Sequence, residues 1–320
     1  MLEYFMRGGG AAAYVSWGNY PTPLEKLELM NEHVHSSALF MKRDDLTGHC
    51  FGGNKERKLE FIFADALKKK ATVAVTVGAL QSNHCRMTAA FANKLGLRAQ
   101  LILIEKADEV DREAEGNLFI DNLLGAIIHK VKSHEVQSKI DQVMFQLRSK
   151  GEMPYFIDGG GHNSLGAIGY VRAVEEIMAQ TEAMGVRPDY IVLPTGTGTT
   201  QAGLVLGANI FGCGVKIIGI SISRSKERCV AEITSAISSA QKQFRLDAKD
   251  IAKDIHVYDN YIGGGYGVFT PAGMQALRLL AEKEGLLIDP AYNAKAFAGL
   301  IDLTNKSEIG GNVIYLNTGG

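Results

Sequence analysis

Along most of the chain, short apolar or β-branched runs alternate with longer stretches whose apolar residues return every three or four positions. Leu59, Ile62, Phe63, Ala66 and Leu67 recur at helical spacing and predict a helix. The run Thr72 to Val77 predicts a strand ended by Gly78, and Cys85 to Leu95 predicts a helix stopped at Gly96. A strand over Arg98–Ile104 follows, then a helix near Arg112–Leu124, a strand at Ile127–Val131, a helix near His134–Leu147 and a strand at Tyr155–Ile157. Beyond Gly159-Gly160-Gly161 the alternation restarts. A helix follows Ser164, and after it come the strand Tyr190–Leu193, another helix, the strand Lys216–Ser221 and a long helix near Lys226–Phe244. The tail predicts helices over Pro271–Glu284 and around Tyr292–Leu303, then a strand at Val313–Leu316. Strands separated by helices of this length predict an α/β fold with parallel sheets flanked by helices. At 320 residues the chain exceeds one ordinary core, so two lobes with a cleft between them are expected. No repeat or low-complexity linker separates them; the division is one of topology.

Composition narrows the function classes. Hydrophobic residues at 46% and charged residues at 22% are an ordinary globular balance. A net charge of −1, from 34 basic and 35 acidic residues, gives no pull toward a polyanion, so no nucleic-acid partner is expected. Lys68-Lys69-Lys70 closes a predicted helix, where solvated cations suit the helix dipole. Cys50, Cys85, Cys213 and Cys229 are scattered without a C-x-x-C pair, which predicts reduced thiols and no metal site or disulfide framework. Residues 1–15 hold two triplets of small residues but no long apolar core, and do not read as a signal peptide. No apolar run approaches the ~20 residues of a membrane span, so a cytoplasmic chain without a membrane partner is expected.

In open parallel sheets, ligands sit beyond the carboxyl ends of the strands. That rule selects the loops after Val77, Ile157, Leu193 and Leu316, each rich in Gly, Ser, Thr or Asn. The loop Pro194-Thr195-Gly196-Thr197-Gly198-Thr199-Thr200-Gln201 offers outward amides, four hydroxyls and a helix N-terminus, which suit a phosphate monoester. It lacks both G-x-x-x-x-G-K-[ST] and G-x-G-x-x-G, since Gln201 stands where the third glycine belongs; ATP and dinucleotides are disfavoured. A plain connecting turn is the bland alternative. In Gly52-Gly53-Asn54-Lys55-Glu56-Arg57-Lys58 a helix N-terminus and Lys58 both oppose charge on Lys55, the setting a Schiff-base lysine needs, although a lysine there is more often a surface residue. In Gln81-Ser82-Asn83-His84, Asn83 and nearby amides can hold an anion and Ser82 or His84 can move a proton; equally, Ser82 can simply cap a helix. Tyr258, Tyr261 and Tyr266 surround Gly263-Gly264-Gly265, and Tyr292 follows Asp289-Pro290; glycine-rich flanks tilt Tyr266 and Tyr292 toward the cleft.

These residues resemble a known family. Pro21-Thr22-Pro23-Leu24, Lys42-Arg43-Asp44-Asp45, Gly52-Gly53-Asn54-Lys55-x-Arg57-Lys58-Leu59-Glu60-Phe61, Gln81-Ser82-Asn83-His84, Thr197-Gly198-Thr199-Thr200-Gln201-Ala202-Gly203, Tyr266-Gly267, Asp289-Pro290-x-Tyr292 and Thr318-Gly319-Gly320 are similar, in order, to the D-cysteine desulfhydrase and 1-aminocyclopropane-1-carboxylate (ACC) deaminase group. The resemblance implies the two-lobed tryptophan-synthase-β-like fold (fold type II) of pyridoxal 5'-phosphate (PLP) enzymes. A small lobe over 51–162 is then inserted into a large lobe of 1–50 and 163–320. It implies Lys55 as the Schiff-base lysine and Lys58, Asn83, Thr197, Gly198, Thr199 and Thr200 around the phosphate. Ser82 matches a nucleophile or proton carrier, Tyr266 and Tyr292 match tyrosines near the ring, and Thr318 faces the pyridine nitrogen. Gln81, Ser82, His84 and Asn293 face a small amino-acid substrate, in a homodimer. ACC deaminases carry Glu where this chain has Asn293 and Leu where it has Thr318; desulfhydrases usually carry Ser or Thr at the Asn293 position. A neutral partner for the ring nitrogen suffices to expel a good β-leaving group such as thiolate. The resemblance therefore implies α,β-elimination from D-cysteine, with ACC deamination and cysteate sulfo-lysis as rivals. Retention of Lys55 argues against a non-catalytic binding protein. Members of the group usually continue past Thr318-Gly319-Gly320, so a truncated or divergent tail is expected.

Overall fold

Glycines and prolines fall where the alternation predicts breaks, and the elements form between them. The computed structural model describes residues 2–7, 10–105, 115–248 and 251–320. A hairpin of β1 (Leu2–Arg7) and β2 (Gly10–Val15) is followed by β3 (Leu24–Lys26), β4 (Ala38–Arg43), α1 (Asn54–Lys68), β5 (Val73–Ala79), α2 (Asn83–Lys94) and β6 (Arg98–Ile104). Next come α3 (Gly116–Leu123), β7 (Ile127–Val131), α4 (Val136–Ser149), β8 (Pro154–Ile157), α5 (Ser164–Ala183), β9 (Tyr190–Thr195) and α6 (Thr199–Ile210). The chain ends through β10 (Lys216–Ser221), α7 (Lys226–Phe244), β11 (His256–Tyr258), α8 (Pro271–Glu284), α9 (Asn293–Asn305) and β12 (Asn312–Asn317). The helix expected near 112–124 begins at Gly116; the part of that expectation within 106–114 lies outside the described residues.

Two parallel sheets result. The smaller has the order β7-β6-β5-β8, with Val73 of β5 paired to Arg98 of β6 and to Pro154 of β8. The larger has the order β11-β10-β9-β12-β4-β3, parallel except that β3 runs against β4. Along β12, Ile314 and Leu316 enter a core with Ile168 and Val171 of α5 and Leu204 of α6, while Val313 and Tyr315 enter a second core with Phe297 and Leu300 of α9. A strand covered on both faces has no polar alternation, which is why these runs read as continuously apolar.

The helix carrying Lys55 is fixed from beneath. A Cβ on Gly169 of α5 would lie 2.2 Å from Arg57 O, so only glycine lets α5 approach α1 this closely. Arg57 donates from Nε to Asp44 Oδ2 at 2.8 Å, from Nη2 to Asp44 Oδ1 at 2.8 Å and from Nη2 to Glu176 Oε1 at 2.9 Å. Tyr170 Oη donates to Asp44 Oδ2 at 2.6 Å, and Lys42 Nζ donates to Glu176 Oε1 at 2.5 Å and to Thr22 O at 2.7 Å. This buried network ties α1 to α5 and β4. Among the described residues no helix is long and apolar enough to cross a membrane, and no three His, Cys, Asp or Glu are grouped to hold a metal ion.

Candidate active site

The loops at the carboxyl ends of β5, β8, β9 and β12 converge on one cavity of about 380 Å³. Its lining includes Lys55, Lys58, Ser82, Asn83, His84, Gly160, Thr197, Gly198, Thr200, Tyr266, Tyr292 and Thr318. Its charged residues are Lys55, Lys58, Arg86 and Arg224; none of the described lining residues is Asp or Glu. Such a wall selects anions.

Lys55 is the second residue of α1. Asn54 N donates to Thr318 O at 2.8 Å, so the helix start is moored to the end of β12. Lys55 Nζ faces the cavity and donates to Asn54 Oδ1 at 2.9 Å. Protein surrounds it on its other sides, and burial first, then the Arg86 guanidinium, lower its pKa to about 8 against a counter-pull from Asp289. The opposing cation is thus Arg86 rather than the expected Lys58. Lys58 lies deeper, donating from Nζ to Gly160 O at 3.3 Å, and burial followed by the charge of Lys55 pushes its amine well below the ordinary range.

The turn from β9 into α6 makes an anion cradle. Gly198 has φ +87°, and a Cβ there would lie 2.8 Å from Ile233, so a side chain is excluded twice over. The first amides of α6 have no acceptor within the helix and stay open to a ligand. Thr200 Oγ1 accepts from Asn54 Nδ2 at 3.0 Å, which leaves its own hydrogen to donate. The Thr199 side chain does not line the cavity: it is buried with Oγ1 2.7 Å from His162 Nδ1, leaving only its backbone for the cradle.

At the start of α2, Ser82 both caps the helix, accepting from Cys85 N at 3.2 Å, and lines the cavity. Asn83 Oδ1 accepts from Asn117 Nδ2 at 2.7 Å, which leaves the Asn83 NH2 for the cavity. Thr76 donates to Ile157 O at 2.7 Å, so its oxygen accepts from His84 Nε2 at 2.9 Å, and His84 Nδ1 is a buried acceptor without a protein partner. Burial, and then Lys55, keep this imidazole neutral. Gln81 corrects an expectation. It is exposed, its Oε1 accepts from Asn117 N at 2.7 Å, and it does not line the cavity.

On the far wall the Tyr266 and Tyr292 hydroxyls are in short hydrogen-bond contact, with ring centroids 5.8 Å apart at 81°. Burial, then Tyr266, push the Tyr292 phenol well above its ordinary value, so it stays protonated. Asp289 places Tyr292 by accepting from its amide at 2.7 Å and from Asn293 N at 3.0 Å. Asn293 also departs from expectation, lying behind Thr318 rather than on the cavity wall. Its Oδ1 accepts from Thr318 N at 3.1 Å and, at 3.3 Å, from Thr318 Oγ1. The latter is a long bond the hydroxyl can exchange for one to a ligand.

Two residues absent from the sequence reading belong to this site. Arg86, three positions beyond Asn83 on α2, was findable from helical spacing. Its Nη1 donates to Asn117 Oδ1 at 2.9 Å. Asn117 thereby joins Gln81, Asn83 and Arg86, and no local signal in its own stretch marks it. Together the donors suit a phosphate-bearing aldehyde: a helix N-terminus with Lys58 and hydroxyls at one end, and an amine of lowered pKa at the other.

A family model described as pyridoxal-phosphate dependent enzyme matches residues 15–319. A D-cysteine desulfhydrase of Klebsiella pneumoniae is 38% identical, covering 94% of this chain and 92% of its own length. A Pyrococcus furiosus protein with a provisional 1-aminocyclopropane-1-carboxylate deaminase name is 38% identical, with coverage of 94% and 90%. A crystal structure of an ACC deaminase homologue superposes with a TM-score of 0.88 at 36% identity, covering 96% of this chain and 91% of that one. A bacterial threonine deaminase, at 18% identity and TM-score 0.67 with coverage of 93% and 92%, shares the fold. Fold, cavity and a match running from β2 to the end of the last loop agree, and the chain belongs to the family of pyridoxal-phosphate-dependent enzymes.

Proposed function

We propose that this enzyme is a lyase eliminating sulfide from D-cysteine, giving pyruvate, hydrogen sulfide and ammonia with uptake of one water. The observation carrying this reading is Thr318, a neutral hydroxyl on the cavity wall held by the neutral Asn293. Bound PLP supplies an aldehyde for amines and a ring that withdraws electrons from the substrate's Cα. The first amides of α6, Lys58, Thr197 and Thr200 hold the phosphate; Gly198 lets the backbone approach, and Thr199 contributes through its backbone. Asn83 offers its NH2 to an anionic oxygen of cofactor or substrate. Lys55 forms the covalent link to the cofactor and takes the α-proton at Nζ, with the Ser82 hydroxyl as a second proton carrier. His84, kept neutral, accepts a hydrogen bond at Nδ1. Tyr292, protonated and paired with Tyr266, gives a proton to the departing thiolate.

A neutral partner at the ring nitrogen stabilises a carbanion poorly, so the leaving group must depart as the α-proton is lost. D-cysteine meets that condition, whereas ACC has only a strained carbon–carbon bond to break. The expected result is at least ~100-fold higher kcat/KM for D-cysteine than for ACC, about 2.7 kcal/mol of discrimination. Pyruvate release from both compounds measures it. Comparable rates would hand the assignment to ACC deamination, the reading favoured by the naming of the P. furiosus relative and of the solved homologue. Turnover of cysteate but not D-cysteine would make it a sulfo-lyase.

Thr200→Val tests the cradle separately, because it keeps shape and removes one hydroxyl. PLP affinity should fall by roughly one to two powers of ten, followed by titration of the stripped protein. An unchanged affinity would take Thr200 out of the phosphate site.

The same reading carries an inserted small lobe near 51–162, a homodimer and a cytoplasmic location. Supporting the lobes, β5 to β8 form one sheet while β9 to β12 join β3 and β4 in the other. Supporting a partner copy, Leu123 and Phe145 are 74% and 72% exposed. Sedimentation at micromolar concentration checks the dimer.

A further inference from the structure

Lys295 lies in the first turn of α9 with no exposed surface. Burying an ammonium costs several kcal/mol unless its hydrogens are all satisfied. Its Nζ donates to Gly265 O at 2.7 Å, to Ile262 O at 2.8 Å and to Ile222 O at 3.4 Å. These carbonyls come from two segments that meet at the cavity. Ile222 follows β10 and lines it; Ile262 and Gly265 belong to the turn leading into Tyr266, which lines it too. That turn has Gly263 at φ +65° and Gly265 at φ +114°, a backbone with little stiffness of its own. The same helix start already places Tyr292 and, through Asn293, Thr318.

We propose that Lys295 is a positioning residue for the Tyr266–Tyr292 pair. Its ammonium clamps the 262–266 turn to the segment after β10, and this brings the Tyr266 hydroxyl onto that of Tyr292. Lys295 touches neither substrate nor cofactor and acts through Tyr266. The inference rests on reading the two tyrosines as the proton-handling wall. Without the ammonium, three inward carbonyls lose their donor and the turn shifts to find water. The phosphate end, built on α1 and α6, is untouched.

The test uses the holoenzyme with Lys295→Met, Tyr266→Phe and the double variant. Amide hydrogen exchange over 262–266, read by mass spectrometry without substrate, should quicken about 10-fold or more in Lys295→Met. Using whichever of D-cysteine, ACC and cysteate the wild type turns over, Lys295→Met should lower kcat by about 10- to 100-fold at unchanged PLP affinity. In the Tyr266→Phe background it should cost no more than about twofold further. Unchanged exchange over 262–266, or losses that multiply in the double variant, overturns the proposal. If the wild type accepts none of the three amino acids, the reading of the reaction fails while the exchange measurement still decides the role of Lys295. Should Lys295→Met not fold, Lys295→Arg gives the same two readouts, because a guanidinium keeps the charge but cannot set one nitrogen among three carbonyls.

Discussion

Lys55→Ala should lose covalently held PLP and lower turnover by about 10⁴-fold or more, the scale on which removing a nucleophilic and proton-transferring amine acts. With its pKa at about 8, roughly one Lys55 in ten carries a free amine at pH 7, against about one in three thousand for an ordinary lysine. The obvious substitute is Lys58, one turn further along α1 and also on the cavity wall. Its Nζ is turned to Gly160 O, at the end where the phosphate is read to sit, so it is poorly placed to take over. Visible absorbance, then borohydride reduction and peptide mapping, provides the measurement. A reducible adduct on Lys58 accompanied by substantial turnover would refute the assignment.

Arg57→Met should destabilise the fold by about 3–5 kcal/mol, the cost of stranding buried carboxylates without their cation. Asp44 is fully buried and takes both its Arg57 bonds at 2.8 Å. For Glu176, burial pushes the carboxyl up, but the hydrogen bond and charge of Arg57, then Lys42, outweigh this and leave it at about 2. That folded value lies below the unfolded one near ~4.3, so its stabilisation is complete above about pH 5 and is lost as the pH falls toward 2. The gap between wild type and variant should therefore narrow in acid. Urea unfolding at pH 7 and pH 3 checks both statements. Adding Asp44→Asn and Glu176→Gln to Arg57→Met should recover part of the loss, and a cost below ~1 kcal/mol for the single change would mean the network is well hydrated.

The fold was legible where burial writes itself into the sequence. Strands β5, β6, β9, β10 and β12 are apolar runs closed by glycine or polar loops, and their expected and observed ends agree within two residues. The strands missed have physical reasons. β3 and β11 are three residues long and take their stability from neighbours in the sheet, and β4 ends in Lys42-Arg43, whose charges look exposed until their buried partners are known. The cavity was legible because strand ends and glycine-rich loops coincide. What sequence adjacency does not give is rotation. Thr199 and Thr200 are neighbours, yet one side chain meets His162 and the other the cavity; likewise Asn293 sits behind the wall that Tyr292 forms. Asn117 was illegible for another reason: its partners Gln81, Asn83 and Arg86 lie more than thirty residues away.

The place of β12 bears on how the molecule is made. It lies between β9 and β4, with Val313 beside Tyr190 and Asn312 beside Ala38, yet it is synthesised after every other strand of its sheet. Until residues 312–317 leave the ribosome, the larger sheet stays split into two pieces joined by nothing in their middle. Thr318, whose carbonyl moors the start of α1, arrives later still. A nascent chain can therefore collapse β5 to β8 early, from contacts close in sequence, while the cavity closes only once β12 has emerged. Cofactor capture then waits for that late step, and any shortening that removes β12 leaves two open sheet edges exposed to aggregation.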